Sequence, residues 1–139
     1  MIQRIQSFWL LLAAVAAFVS LKLAVFTGMK PDSSQVSQYT TLTGISNFTI
    51  LIVTAAAGAA AIIVIFLYKN RKLQLRITSV ALVISIANLV LYYIEAKKFS
   101  QGNYTLTALV VLVIPVFFIL ALRGIYKDEK LIKESDRLR

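Results

Sequence analysis

Few side chains in this sequence are of a type and spacing that could do chemistry. The 139 residues contain no Cys and no His, which removes thiolate nucleophiles, disulfides, thiolate metal sites and the commonest general base. No apolar run carries a pair of carboxylates, so general acid/base catalysis across a substrate lacks its usual parts. Asp128-Glu129 supplies too few oxygens for a hard divalent ion. Gly58, Gly102 and Gly124 stand alone rather than in a phosphate-cradling loop, and no Ser or Thr has an evident activating base. The sequence therefore predicts no catalytic residue, no cofactor and no metal site, and it points away from an enzyme.

What remains is a small set of polar residues inside or beside apolar runs. Lys22 lies within the first such run, where an ionisable group is a functional candidate by default. Its amine can nonetheless snorkel past Phe26 to a headgroup layer only about 6 Å further along a helix. A sharper reading pairs it with Glu95. Asn88 lies roughly 18 Å beyond Arg76 at ~1.5 Å per helical residue, slightly past the membrane midplane, and Ser85 precedes it by one turn. The two make a polar stripe whose ordinary use is hydrogen bonding to a neighbouring helix and whose sharper use is lining a transport path.

These residues need a scaffold, and composition says which solvent it meets. Hydrophobic residues make up 59% and charged ones 15% of the chain, against about 45–50% and about 25% in soluble proteins. A chain of this size could not hide so much apolar surface from water. Four apolar runs, roughly 8–26, 48–68, 77–94 and 104–122, are each long enough as helices to span a ~30 Å hydrocarbon core. Arg4 followed by the run from Phe8 has the look of a signal peptide, but its length and the lack of a small-residue cleavage site favour an uncleaved anchor.

Charge sets the expected orientation. Arg4, the link residues Lys69, Arg71, Lys72 and Arg76, and the tail residues Arg123, Lys127, Lys130, Lys133, Arg137 and Arg139 fall on one side, against Lys30, Lys97 and Lys98 on the other. The positive-inside tendency then places both termini and the second link in the cytoplasm. The net charge of +9 reads as affinity for anionic headgroups rather than nucleic acid, because the charges flank apolar runs. Tyr92, Tyr93 and Tyr104 mark one interface and Phe8, Trp9, Tyr68 and Tyr126 the other.

Within the second run, Ala55, Ala57, Gly58, Ala59 and Ala61 form a small-residue block with the four-residue spacing that lets helix backbones approach closely. Pro115 cannot donate to the carbonyl of Val111 and should kink the fourth helix. The first outward link, Thr27 to Asn47, reads as a plain polar connector, and Glu95 to Asn103 as a shorter one. Beyond Gly124 the tail keeps Ile125, Leu131, Ile132 and Leu138 among its charges, which suits an amphipathic helix that continues or bends from the fourth span.

Several segments carry a family likeness. The opening Met1-Ile2-Gln3-Arg4-Ile5-Gln6-Ser7, Asn70-Arg71-Lys72-Leu73-Gln74 after the second run, Pro115, Lys127-Asp128-Glu129-Lys130-Leu131 and Ser135-Asp136-Arg137-Leu138-Arg139 resemble an uncharacterised four-pass family of Bacteroidota, domain of unknown function 4293. The resemblance spans the chain and implies an inner-membrane location. It brings no activity and no catalytic residue. The polar signatures all fall on the expected cytoplasmic side, so an interaction surface is expected there.

The expectation is an all-α integral membrane four-helix bundle of two hairpins, with a short amphipathic cytoplasmic tail over 123–139. Its expected role is that of a non-enzymatic accessory or scaffold, working through helix packing and basic contacts with a membrane-protein partner, a second copy or anionic lipid. A small oligomeric transporter or channel is the alternative, and a lipid-modifying enzyme a distant third.

Overall fold

The computed structural model describes residues 2–31 and 37–137. In chain order the elements are α1 (Ile2–Ser20), β1 (Ala24–Pro31), β2 (Ser37–Thr43), α2 (Phe48–Phe66), α3 (Arg71–Ala96), β3 (Gln101–Tyr104) and α4 (Ala108–Arg137). The helices alternate in direction. α1 packs on α2 and α4, and α3 packs on the same two neighbours, so the four close into a ring. α2, α3 and α4 are each long and apolar enough to cross a membrane, and α1 adds the shorter apolar stretch Ile5–Ser20.

The buried positions explain why these helices associate. Along α3 they are Gln74, Thr78, Ala81, Ser85, Asn88, Tyr92 and Ala96, and along α2 Ile50, Thr54, Ala57, Gly58, Ala61 and Val64. In α1 they include Gln6, Leu10, Ala13, Ala17 and Ser20, and in α4 Val111, Ile114, Phe118, Ala121, Ile125 and Asp128. Most steps are of three or four residues, the repeat that keeps one seam facing a neighbouring helix. Small and polar residues predominate in the seams of α1 and α3, larger apolar ones such as Ile114, Phe118 and Ile125 in that of α4, while Val80, Val83, Ile86 and Val90 of α3 and Ile52, Ile63 and Phe66 of α2 face outward. On α3 that polarity is reversed from a water-soluble bundle, where large apolar residues fill the seam. In a hydrocarbon surround, close contact between small residues would gain dispersion that bulky side chains prevent.

Two features depart from the sequence expectation. The fold is mostly helical but not all-α: a three-stranded antiparallel sheet of order β2-β1-β3 covers one end of the helices. The first helix stops at Ser20, so the expected span 8–26 ends early and Val25 and Phe26 belong to β1. The tail takes the first of its two expected courses and continues the fourth helix, α4 running for 30 residues through both Pro115 and Gly124.

The link expected to be a plain connector is thus a hairpin, with Thr27 paired to Thr41 and Met29 to Tyr39. The second outward link supplies β3, whose Asn103 pairs with Thr27 and Gln101 with Met29. A register shift between Ala24 and Phe26 bulges β1. Its freed backbone groups are taken up by the start of α4: Thr105 and Thr107 hydroxyls both donate to the Ala24 carbonyl, and Thr105 N–H donates to Val25 O at 3.1 Å. This satisfies backbone polar groups that the bulge would otherwise leave buried and unpaired. Val25, Phe26 and Leu42 then pack on Ile50, Tyr92, Ala96 and Val111, fastening the sheet to the helix ends.

Candidate functional site

The opposite end of the helices gathers the polar segments that the sequence singled out. Gln6 of α1 is 4% exposed and Asp128 of α4 is 6% exposed. Gln6 Nε2 donates to Asp128 Oδ2 at 2.5 Å. Arg71, in the first turn of α3, brings Nη1 to 3.8 Å from the same oxygen. Residues from three of the signature segments therefore meet at a single carboxylate.

Local sequence makes the meeting possible. A Cβ on Gly124 would stand 2.8 Å from Gln6 Cγ, so the missing side chain there lets Gln6 lie against α4. Gln74, one turn beyond Arg71, donates through Nε2 to the Val64 carbonyl at 3.2 Å and ties α3 to the end of α2, sharing that acceptor with the Leu67 N–H. Gln6, Ser7, Tyr68, Arg71 and Gln74 line a cavity of about 20 Å³. That is room for one water molecule, not for a lipid headgroup or a metabolite.

Outside this buried cluster, Lys69, Lys72, Arg76, Arg123, Lys127 and Arg137 are exposed. Lys130 and Lys133 pair along α4 with Glu134 and Glu129, at 3.9 Å and 2.9 Å. The Arg4 side chain and Arg139 lie outside the described residues.

The remaining candidates separate. Lys22 is not buried in a helix: it sits exposed in the turn after α1. Glu95 pairs with Lys98 at 2.6 Å, so the expected Lys22–Glu95 contact gives way to one within the same segment. Of the small-residue block, Ala57, Gly58 and Ala61 are buried, Ala55 is half-buried and Ala59 exposed. A Cβ on Gly58 would meet the Phe18 ring at 3.0 Å and Ala17 Cβ at 3.4 Å. That face is therefore occupied by α1 of the same chain. Pro115 is buried within α4.

Ser85 and Asn88 are both 2% exposed, on the inward face of α3 as the stripe required. Ser85 donates to its own helix at Leu82 O, 2.7 Å away, while Asn88 Oδ1 has no partner. Thr54 Oγ1 and the Tyr92 hydroxyl are buried beside one another, and neither makes a hydrogen bond of good geometry. Between this polar layer and the Asp128 cluster lies an apolar one, built from Leu10, Ala13, Ala17, Ala61, Ala81, Ile114 and Phe118 at 0–2% exposure.

Fold and site together define a bundle of four antiparallel helices, three of them long and apolar enough to cross a membrane, with a strand cap at one end and a buried carboxylate cluster with exposed cations at the other. The chain belongs to the family described as domain of unknown function (DUF4293), whose model matches residues 2–138. Comparison with curated proteins and with solved structures gave no match.

Proposed function

We propose that this chain is a non-enzymatic accessory protein of the bacterial inner membrane, crossing it four times as a helical bundle with both termini in the cytoplasm. Its cation-ringed end engages anionic lipid headgroups and presents the projecting part of α4 to a protein partner. The observation that carries this reading is the convergence of Gln6, Arg71 and Asp128 beneath exposed Lys69, Lys72, Arg76, Arg123 and Lys127. A buried carboxylate costs several kcal/mol of desolvation unless paired. Here the pairing fixes three helix ends relative to one another, and so fixes the spacing of the cations around them.

Lys and Arg concentrate at this end, which supports a cytoplasmic placement. α4 extends for nine residues past Asp128, about 14 Å at ~1.5 Å per residue, carrying Leu131 and Ile132 at 45% and 42% exposure. A transport route within one copy draws no support from the interior, since the tightly packed layer around Ala81 and Phe118 separates its two polar ends.

Reconstitution in nanodiscs tests the lipid contact. Adding phosphatidylglycerol to phosphatidylcholine discs is expected to raise the melting temperature of the wild-type chain. The gain should vanish in the Lys72→Glu, Arg76→Glu, Arg123→Glu variant. Equal melting temperatures in both lipids would remove the headgroup role, and solitary elution from native membranes in gentle detergent would remove the protein partner.

A further inference from the structure

Each outer strand of the sheet has one edge that no strand covers among the described residues, and the two edges are unequal. β3 spans only four residues, and a short edge gives little purchase for pairing. β2 spans seven, Ser37-Gln38-Tyr39-Thr40-Thr41-Leu42-Thr43, rich in the aromatic and β-branched residues that favour strands. It has none of the Lys, Pro or bulge by which edge strands discourage further pairing; the bulge of this sheet lies on β1.

Two independent contacts fix which backbone groups lie on that edge. In an antiparallel ladder both backbone groups of a residue point to one side, and successive residues alternate. The Met29 carbonyl of β1 accepts from Ser100 N–H at 3.0 Å and so faces β3. Phe26, Gly28 and Lys30 then face β2, where they pair with Leu42, Thr40 and Gln38. Tyr39, Thr41 and Thr43 are therefore turned to the open edge. Thr43 agrees: its N–H donates to Ser46 Oγ at 3.1 Å and its carbonyl accepts from Ser46 N–H at 3.2 Å. Ser46 thus closes one end of the edge. Among the described residues nothing takes up the backbone groups of Tyr39 and Thr41, both of them exposed.

The occupant these groups specify is a second copy of this chain. Antiparallel pairing of β2 with its own copy about a two-fold axis at Thr40 sets Tyr39 opposite Thr41 of the second copy, and Thr41 opposite Tyr39. Each such pair exchanges both backbone bonds, so the free groups of the edge are all used. A register centred on Thr41 would instead bring Tyr39 against Thr43, whose groups Ser46 already holds. Symmetric pairing also sets a charge on the strand near its own image, where like charges repel. Ser37–Thr43 carries no charge, in a chain with 15 Lys and Arg and six Asp and Glu. Thr against Thr at the axis, and Tyr against Thr beside it, are favourable cross-strand pairs. We propose that this protein forms a homodimer in which β2 pairs with β2 of a second copy, joining their sheets into one. The proposal concerns the sheet end and does not rest on the headgroup reading of the opposite end.

Cysteine crosslinking of the full chain in native membranes tests this. Thr40→Cys places a thiol at the axis, where a non-hydrogen-bonded antiparallel pair sets the two Cα atoms about 4.5 Å apart, within disulfide reach. Mild oxidation should give a species of twice the chain's mass, whereas Gln101→Cys on β3 should stay monomeric. Adding Thr41→Pro to the Thr40→Cys chain removes an edge N–H without touching a bond to β1, and should abolish the crosslink, with helix content checked by circular dichroism. No dimer at position 40, equal crosslinking at 40 and 101, or a crosslink that survives Thr41→Pro would overturn the proposal. An adduct at position 40 of any mass other than twice the chain's would also overturn it, by showing a different protein on the edge. If the proline variant does not fold, the comparison of 40 with 101 decides alone.

Discussion

Asp128 is one carboxylate on which three distant segments depend, and its neighbours show how the dependence can be measured. Replacing it with Ala leaves the Gln6 amide and the half-buried Arg71 guanidinium without their shared acceptor, at an expected loss of about 1–3 kcal/mol. Asn at this position keeps the acceptor for Gln6 and should lose less. Chemical denaturation in mild detergent would separate the two, and equal stability of both variants with wild type would remove the structural role of the cluster. Gly124→Ala forces a methyl to 2.8 Å from Gln6 Cγ. It should destabilise by ~1 kcal/mol, and by less when Gln6 is already Ala, because the two changes share one contact. Strict additivity in that cycle would mean that Gln6 does not lie against Gly124. Asp128 was hidden in the sequence because it sits among tail charges. Its clue is spacing: Val111, Ile114, Phe118, Ala121, Ile125 and Asp128 step by three and four along one buried seam. Gln6 and Gln74 belong to their own seams in the same way. A hydropathy reading discounts polar residues at the positions where this protein uses them.

At the scale of elements, α2 was the most legible, expected over 48–68 and found over Phe48–Phe66, because an unbroken apolar run bounded by a cap leaves little choice. Asn47 supplies that cap, its side chain accepting from Thr49 N–H at 2.9 Å, which satisfies one of the helix's free donors. α3 begins six residues before its apolar run, since Arg71, Lys72, Leu73, Gln74, Leu75 and Arg76 are good helix formers. The sheet was missed for a related reason. Val25 and Phe26 extend the first apolar run but are as much at home in a strand, and hydropathy counts side chains without asking about backbone. Tyr39-Thr40-Thr41-Leu42-Thr43, with Pro31-Asp32-Ser33-Ser34 before it, carries a strand-and-turn composition that would have signalled a hairpin. The strands depend on the helices in turn. Thr105→Val and Thr107→Val together remove both hydroxyl bonds to Ala24 and should raise hydrogen exchange at Phe26 and Thr27 while leaving α2 unchanged. Unaltered exchange in β1 would show that the bulge needs no such anchor.

For the whole molecule, the decisive feature is its polarity. Large apolar side chains cover the outside of the helices, small and polar ones line the seams of α1 and α3, and cations gather at the end opposite the sheet. Composition made the apolar exterior legible, and the distribution of Lys and Arg suggested an orientation. Neither could show which polar groups from separate helices would meet, because that depends on the relative depth of four helices. Depth in turn depends on where α1 stops and how the sheet is tied to α4. The account requires that the sheet and the Asp128 end lie on opposite sides of a bilayer. The natural chain has no Cys, so single thiols introduced as Gln38→Cys, Gln101→Cys, Lys72→Cys or Lys130→Cys can be read without background. With a membrane-impermeant maleimide, the variants at 38 and 101 should label in intact spheroplasts, and those at 72 and 130 only after permeabilisation. Labelling of position 72 or 130 from outside, or of all four positions alike, would contradict a four-pass protein with its cation-ringed end in the cytoplasm.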